Sequence, residues 1–202
     1  MIYLILSKLI TCLLPNFERL GFKYKKSVSE FRKTLINCNI VAIGVDLLPA
    51  SSHGYYKAAI TAHIHIKDLE DVYITHHPFI KPNARKAHYT ISVNCDNIFK
   101  DKTVSQSYQL HTDKTITALS EILWAAISDD VLPFLEKFSD RKRLVENLLT
   151  DDYNKWVTSN RLVRYCVLIS DRVLAHDELG FEKFAEELLD YCMKPYGAMY
   201  LS

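Results

Sequence analysis

Glycine is scarce in this 202-residue chain: there are five, each standing alone, so no Gly-rich loop exists to cradle a phosphate group. Six prolines add little, and neither count leaves room for a flexible linker. The five cysteines, Cys12, Cys38, Cys95, Cys166 and Cys192, are odd in number, widely spaced and without a C-x-x-C pair. That pattern argues against a disulfide framework or a structural zinc site and is expected of buried thiols in a reducing compartment. Net charge is nearly absent at +1, so the chain as a whole has no phosphate-seeking or membrane-seeking field. Its two basic clusters, Lys23 with Lys25 and Lys26, and Arg141 with Lys142 and Arg143, come without an interleaved aromatic platform or a helix-turn-helix pattern, and no nucleic-acid partner is expected. No apolar run is long enough to cross a bilayer, and no membrane partner is expected. The opening "MIYLILSKLITCLL" carries its charge inside the run, at Lys8, where a secretory leader would carry it ahead. It predicts an amphipathic first helix ending near Pro15, with a leader or anchor as the alternative, and the expected location is cytoplasmic.

Hydrophobic residues at 49% and charged residues at 24% are ordinary for a globular protein, and a single compact unit is expected over residues 1–202. Charge is unevenly spread: residues 1–111 hold 14 Lys/Arg and 8 Asp/Glu, whereas residues 112–202 hold 11 and 16. After the first helix the period runs on through Phe17 and Leu20 to Gly21, a good helix stop. β-Branched segments then predict strands near 29–36, 40–47, 57–67, 70–76 and 87–94, with turns at 37–39 and 49–56 and a surface loop over "HHPFIKPNARKA". Short connections favour antiparallel pairing. Beyond residue 111 the period is helical: Ile116, Leu119, Leu123 and Ile127 form one stripe, Asp129 or Asp130 is placed to cap a short helix with Pro133 in its first turn, and two further helices follow. The first of these runs from about Tyr153 to Ala175, with Leu162, Tyr165, Cys166, Ile169 and Val173 on one face; the second begins near Asp177. The expected fold is α+β: an N-terminal helix, an antiparallel meander of about five strands in a 1–111 half, and about four helices in a 112–202 half.

In "ITAHIHIKD", residues 60–68, alternation puts Ile60, Ala62, Ile64 and Ile66 on the core face and Thr61, His63, His65 and Lys67 on an outward polar face. His63, His65 and Glu70 have the spacing of the first cupin motif, H-x-H-x(4)-E. The glycine that motif places before the first histidine is Lys57 here, none follows Glu70, and the second half of the chain is helical. His76 and His77 are adjacent and point opposite ways. "PASSHGYY" brings Ser51, Ser52 and His53 together in a turn instead of at a strand-to-helix elbow, so it is read as a recognition loop with Tyr55 and Tyr56. Asp151 and Asp152, like Asp129 and Asp130, precede helical patterns and read as caps. Twelve tyrosines favour a protein that binds another protein.

The segments "LGFKYKK", "SEFRKTL" and "NIVAIGVDLL" resemble the start of the DUF4304-type domains of bacteria, through Leu20, Gly21, Phe22, Lys23, Phe31 and Arg32. That resemblance implies a β-meander followed by helices, and a likeness to the small immunity proteins encoded beside bacterial toxins. It transfers no catalytic residue. The expected function is a non-enzymatic bacterial protein-binding protein, an immunity protein that neutralises a cognate toxin by occluding its active site. No catalytic residue, metal or cofactor is assigned, and Tyr55, Tyr56, His63, His65 and Glu70 are the partner-facing candidates. Two alternatives are a small metal-dependent enzyme using the His63–His65 pair with Glu70, and a regulatory adaptor or phage-encoded inhibitor.

Overall fold

A computed structural model describes residues 2–50, 54–76, 89–150, 157 and 161–193. Helix α1 (Ile2–Arg19) leads into strands β1 (Lys23–Lys25), β2 (Glu30–Thr34), β3 (Ile40–Pro49) and β4 (Tyr55–His65). Helix α2 (Lys67–His76), strands β5 (Ile91–Asn94) and β6 (Ser107–Gln109), and helices α3 (Asp113–Ala126), α4 (Leu132–Phe138), α5 (Arg141–Leu148), α6 (Arg161–Leu174) and α7 (Glu178–Met193) complete the chain. The fold is α+β, with an N-terminal helix, an antiparallel sheet and a helical C-terminal part, as the sequence predicts. Two compact units form, each from two stretches: unit one from residues 1–64 and 92–139, unit two from 65–91 and 140–202.

Unit one is built around the sheet, ordered β1-β2-β3-β4-β5, with β6 paired to the start of β4. Phe31 faces Ile43 across the β2–β3 ladder, and Glu30 faces Gly44. Val41, Ile43, Val45 and Leu47 of β3 and Ala58, Ile60, Ala62 and Ile64 of β4 are all buried. Against this layer α1 turns Ile5, Leu9, Ile10, Leu13 and Phe17, a stripe at steps of three and four. Phe17 is its anchor. The ring is wholly buried, stacks on Phe31 with centroids 3.9 Å apart, and meets Phe22 and Trp124 edge-on. Helix α3 starts at a capping box, in which Thr112 Oγ1 accepts the Thr115 N–H at 3.2 Å, and buries Ile116, Leu119 and Leu123.

Several expectations are corrected. The first helix passes through Pro15 and closes at Arg19, with Gly21 at φ +82 beyond it, because Leu13 and Phe17 on either side of the proline both seat in the core. The predicted strand 70–76 is helix α2: Lys67 pairs with Asp71 one turn on at 2.6 Å, and Asp68 and Glu70 fill a first turn that favours carboxylates. Asp129 and Asp130 cap no helix. They lie inside a π-helical turn, Ile127–Val131, that joins α3 to α4 without a break, and Asp130 accepts the Lys100 N–H at 2.9 Å. Pro133 does sit in the first turn of α4. Of the cysteines, only Cys95 is buried, Cys38 is exposed, and all five are free.

Unit two packs α2, α5 and α7 about α6. The buried side of α6 is Arg164, Val167, Leu168, Ser170 and Asp171, and its charged members are anchored: Arg164 Nε donates to the Leu148 carbonyl at 2.8 Å, and Asp171 accepts from Arg141 Nε at 2.8 Å. The predicted stripe of Leu162, Tyr165, Cys166, Ile169 and Val173 is only half-buried. Helix α7 begins at Glu178, close to the predicted start. Ser51, Ser52, His53, His77, most of the 76–87 loop, Asp151, Asp152 and the expected helix start at Tyr153 lie outside the described residues.

Candidate functional site

The sheet of unit one has a second face. Residues paired across a ladder point the same way, so the registers Lys23↔Arg32, Lys25↔Glu30 and Glu30↔Gly44 place Lys23, Lys25, Glu30, Arg32 and Gly44 together, with Asp46 and Leu48 further along β3. Tyr55, Lys57, Thr61 and His63 of β4 continue that face, and Gln109 and Ser107 of β6 join it opposite Tyr55 and Lys57. Side chains on β4 alternate between buried and half-buried, the half-buried set being Lys57, Ala59, Thr61, His63 and His65. Tyr55, Asp46, Leu48, Ser92 and Asn94 are exposed.

His63 is the centre of this face. Its Nδ1 lies 2.9 Å from Ser92 Oγ, and its Nε2 lies 3.7 Å from Glu30 Oε1. Glu30 is in turn held by Arg32, whose Nε donates to Oε2 at 2.8 Å. The ring packs over Gly44: a Cβ there would stand 3.4 Å from His63 Nε2, in van der Waals contact with it. Burial lowers the His63 pKa below its usual value; Glu30 opposes the shift and Arg32 adds to it. The net shift favours the neutral imidazole. A serine, a histidine and a carboxylate lie in a row, but 3.7 Å exceeds hydrogen-bond reach, and Glu30 already accepts from Arg32. The arrangement fixes polar groups in place; it does not assemble a relay onto Ser92.

A second cluster stands on the same face. Lys57 Nζ donates to Asp96 Oδ2 at 2.6 Å, Ser105 Oγ to Asp96 Oδ1 at 2.6 Å, and Lys102 Nζ to the Asp96 carbonyl at 2.7 Å. Burial works to raise the Asp96 pKa, but the hydrogen bonds from Lys57 and Ser105 outweigh it and hold the carboxyl below its usual value. Cys95 beside it is inert, its thiol pushed up to about 12 by burial.

The candidates read from sequence separate. Tyr55 and His63 are on the polar face, and His65 follows at the same parity at the end of β4. Tyr56 points the other way, into the core, because neighbours on a strand alternate. Glu70 belongs to α2 in unit two and is 5% exposed, so the strand face that carries the two histidines does not carry it. Among the described residues no group of three or more His, Cys, Asp or Glu is placed to hold a metal ion. No described helix is long and apolar enough to cross a membrane. Glu30, Arg32 and Ser92 were missed by sequence reasoning. The signal was there in the alternation of β2, in which Glu30 and Arg32 flank the core residue Phe31 and must share the face opposite it. No family model matches this chain, and no curated protein or solved structure matches it.

Proposed function

We propose that this chain is a non-enzymatic bacterial protein-binding protein of the toxin-immunity kind, which neutralises its cognate toxin by covering the toxin's active site with the polar sheet face of unit one. The observation that supports this reading is the set of paired polar groups on that face. Glu30 is locked by Arg32, His63 by Ser92, and Asp96 by Lys57 and Ser105, all mounted on or beside strands, with Tyr55, Asp46, Leu48 and Asn94 exposed around them. Groups already held in place lose little freedom on binding, which favours a rigid recognition surface. The pairing compensates the charges of Glu30 and Asp96, and Tyr55 supplies an amphipathic ring suited to an interface. A stable complex needs about 800 Å² from each partner.

The test is inhibition. Tagged chain produced in its own host is expected to retain one toxin at equal stoichiometry, and purified chain to suppress that toxin's activity. Tyr55→Ala combined with Asp46→Lys, both at exposed positions, is expected to weaken the complex roughly 100-fold and release the activity. A Leu189→Ala variant on α7 serves as the control and is expected to leave both unchanged. Equal inhibition by the face variant and the native chain would refute the assignment.

A further inference from the structure

The turn between β2 and β3 exposes an isoleucine where local geometry asks for none. The Leu35 N–H donates to the Asn39 carbonyl at 2.8 Å, and the Cys38 N–H donates to the Leu35 carbonyl at 3.0 Å, which closes the hairpin. Turns favour Gly, Asn, Asp and Ser, yet position 36 is Ile, and its side chain is wholly exposed. A lone exposed apolar residue is ordinary, but this one directly follows Leu35, which lines an apolar groove.

The groove is half-open and lies within unit one. Leu20, Phe22, Leu35 and Val41 line it from the end of α1 and the sheet, and Leu132 and Leu135 line it from α4. Its charged members are Lys33 and Glu136, one of each sign, and neither forms an ion pair among the described residues. Lys33 rests on the apolar wall, with Nζ 5.8 Å from the centroid of the Phe22 ring. The turn is fixed to the groove as well. Asn39, only 5% exposed, donates through Nδ2 to the carbonyl of Ser139 at 3.0 Å, and Ser139 is itself part of the lining.

A projecting side chain and a socket held side by side make one patch self-complementary. That is the requirement of a two-fold interface, in which each residue of a contacting pair is used once by each copy. We propose that the chain forms a two-fold homodimer through unit one, with Ile36 of each copy seated in the groove of the other and each Lys33 paired with Glu136 of the second copy. The charges complement one another across the axis, and the fixed turn has little freedom left to lose. Every contact is made twice, which brings the buried area towards the roughly 800 Å² per partner that a stable complex needs. None of these residues lies on the polar sheet face, so the outcome does not depend on the toxin reading.

Sedimentation equilibrium of the full chain over about 1–300 µM is expected to show association that stops at the dimer. Ile36→Lys acts twice in each dimer and is expected to weaken it at least about 100-fold. Its circular dichroism and urea midpoint are expected to match the native chain, because the position is exposed. Reciprocity is read by charge reversal. Lys33→Glu alone and Glu136→Lys alone are each expected to weaken self-association about 10-fold. An equimolar mixture of these two single variants is expected to recover native strength as a heterodimer, since each chain offers the charges that the other lacks. A monomer throughout the range, association that continues past the dimer, dimerisation untouched by Ile36→Lys, or a mixture that associates no better than its separate components would each overturn the proposal.

Discussion

Replacing Phe17 by alanine tests how unit one holds its sheet to its helices. The ring is wholly buried and is shared by three aromatic neighbours: Phe31 stacked at 3.9 Å between centroids and 14° between planes, Phe22 at 5.5 Å and Trp124 at 5.3 Å. A buried Phe→Ala change costs about 3–5 kcal/mol through lost transfer energy and the cavity left behind. Favourable aromatic geometry adds about 0.5–1.5 kcal/mol per pair, partly within that figure. Three partners, from β2, from α3 and from the turn between α1 and β1, cannot all close the gap at once, so the loss falls at the upper end, about 4–5 kcal/mol. Against a typical stability of about 5–15 kcal/mol this is close to unfolding the unit. Equilibrium urea denaturation followed by circular dichroism and by Trp fluorescence is the assay. With a slope of about 3 kcal/mol/M the midpoint is expected to fall by roughly 1.5 M. Leu4→Ala, at a position 63% exposed on the same helix, is expected to change stability by less than about 0.5 kcal/mol. A Phe17→Ala loss below about 2 kcal/mol would refute the reasoning, since it would mean that α1 docks through its aliphatic stripe alone.

Three further outcomes follow from single residues. His63 has a lowered pKa in the fold, so the unfolded chain takes up its proton first as pH falls through 6.5; stability is expected to decline from pH 7 towards 5, and His63→Gln to flatten that limb in pH-dependent urea titrations. Asp130, held below its usual value by hydrogen bonds from Lys100, stabilises above the ordinary carboxyl pKa of 3.8 and loses that contribution as pH falls through its depressed value; Asp130→Asn is expected to remove this acid dependence and to speed hydrogen exchange at the Lys100 amide. Gly54, at φ +77 with the His111 ring where a Cβ would stand, is expected to tolerate Ala badly: a loss of about 1–3 kcal/mol, seen as a Tm drop of several degrees, against none if the turn re-forms.

Much of unit one is legible in the sequence because a single half-buried sheet imposes a two-residue period, and β4 keeps it for its whole length. Ile60, Ala62, Ile64 and Ile66 read correctly as core, and Gly21 as a stop, since each rests on local geometry. The outward face was harder. Alternation says that His63 leaves the core, but not that Glu30 from another strand meets it and half-buries it; that depends on a register set across β2, β3 and β4. Helix α2 was misread because Val72, Ile74 and Thr75 carry strand propensity, while the Lys67–Asp71 pair and the acidic first turn point to a helix. In α6 the apolar stripe was visible, but its being only half-buried was not. Helical period identifies a face that avoids water without saying whether protein fills the space beside it, and here Ile169 and Val173 line a half-open groove. The polar anchors Arg164 and Asp171 take the buried side, which no hydropathy pattern suggests.

The hydrogen bond between His63 and Ser92 has a consequence for how the chain can be cut and rejoined. The chain leaves unit one after Ile64 and re-enters it at Ser92, and the two side chains that flank this gap are 2.9 Å apart. Residues 65–91 are therefore an insertion whose ends nearly touch. Closing a loop between such ends costs an entropy that grows only slowly with the loop's length. A short turn in their place would cost β4 its His65, β5 its Ile91 and the helices packed about α6 their neighbour α2, so the segment joins the two strand ends and builds unit two at once.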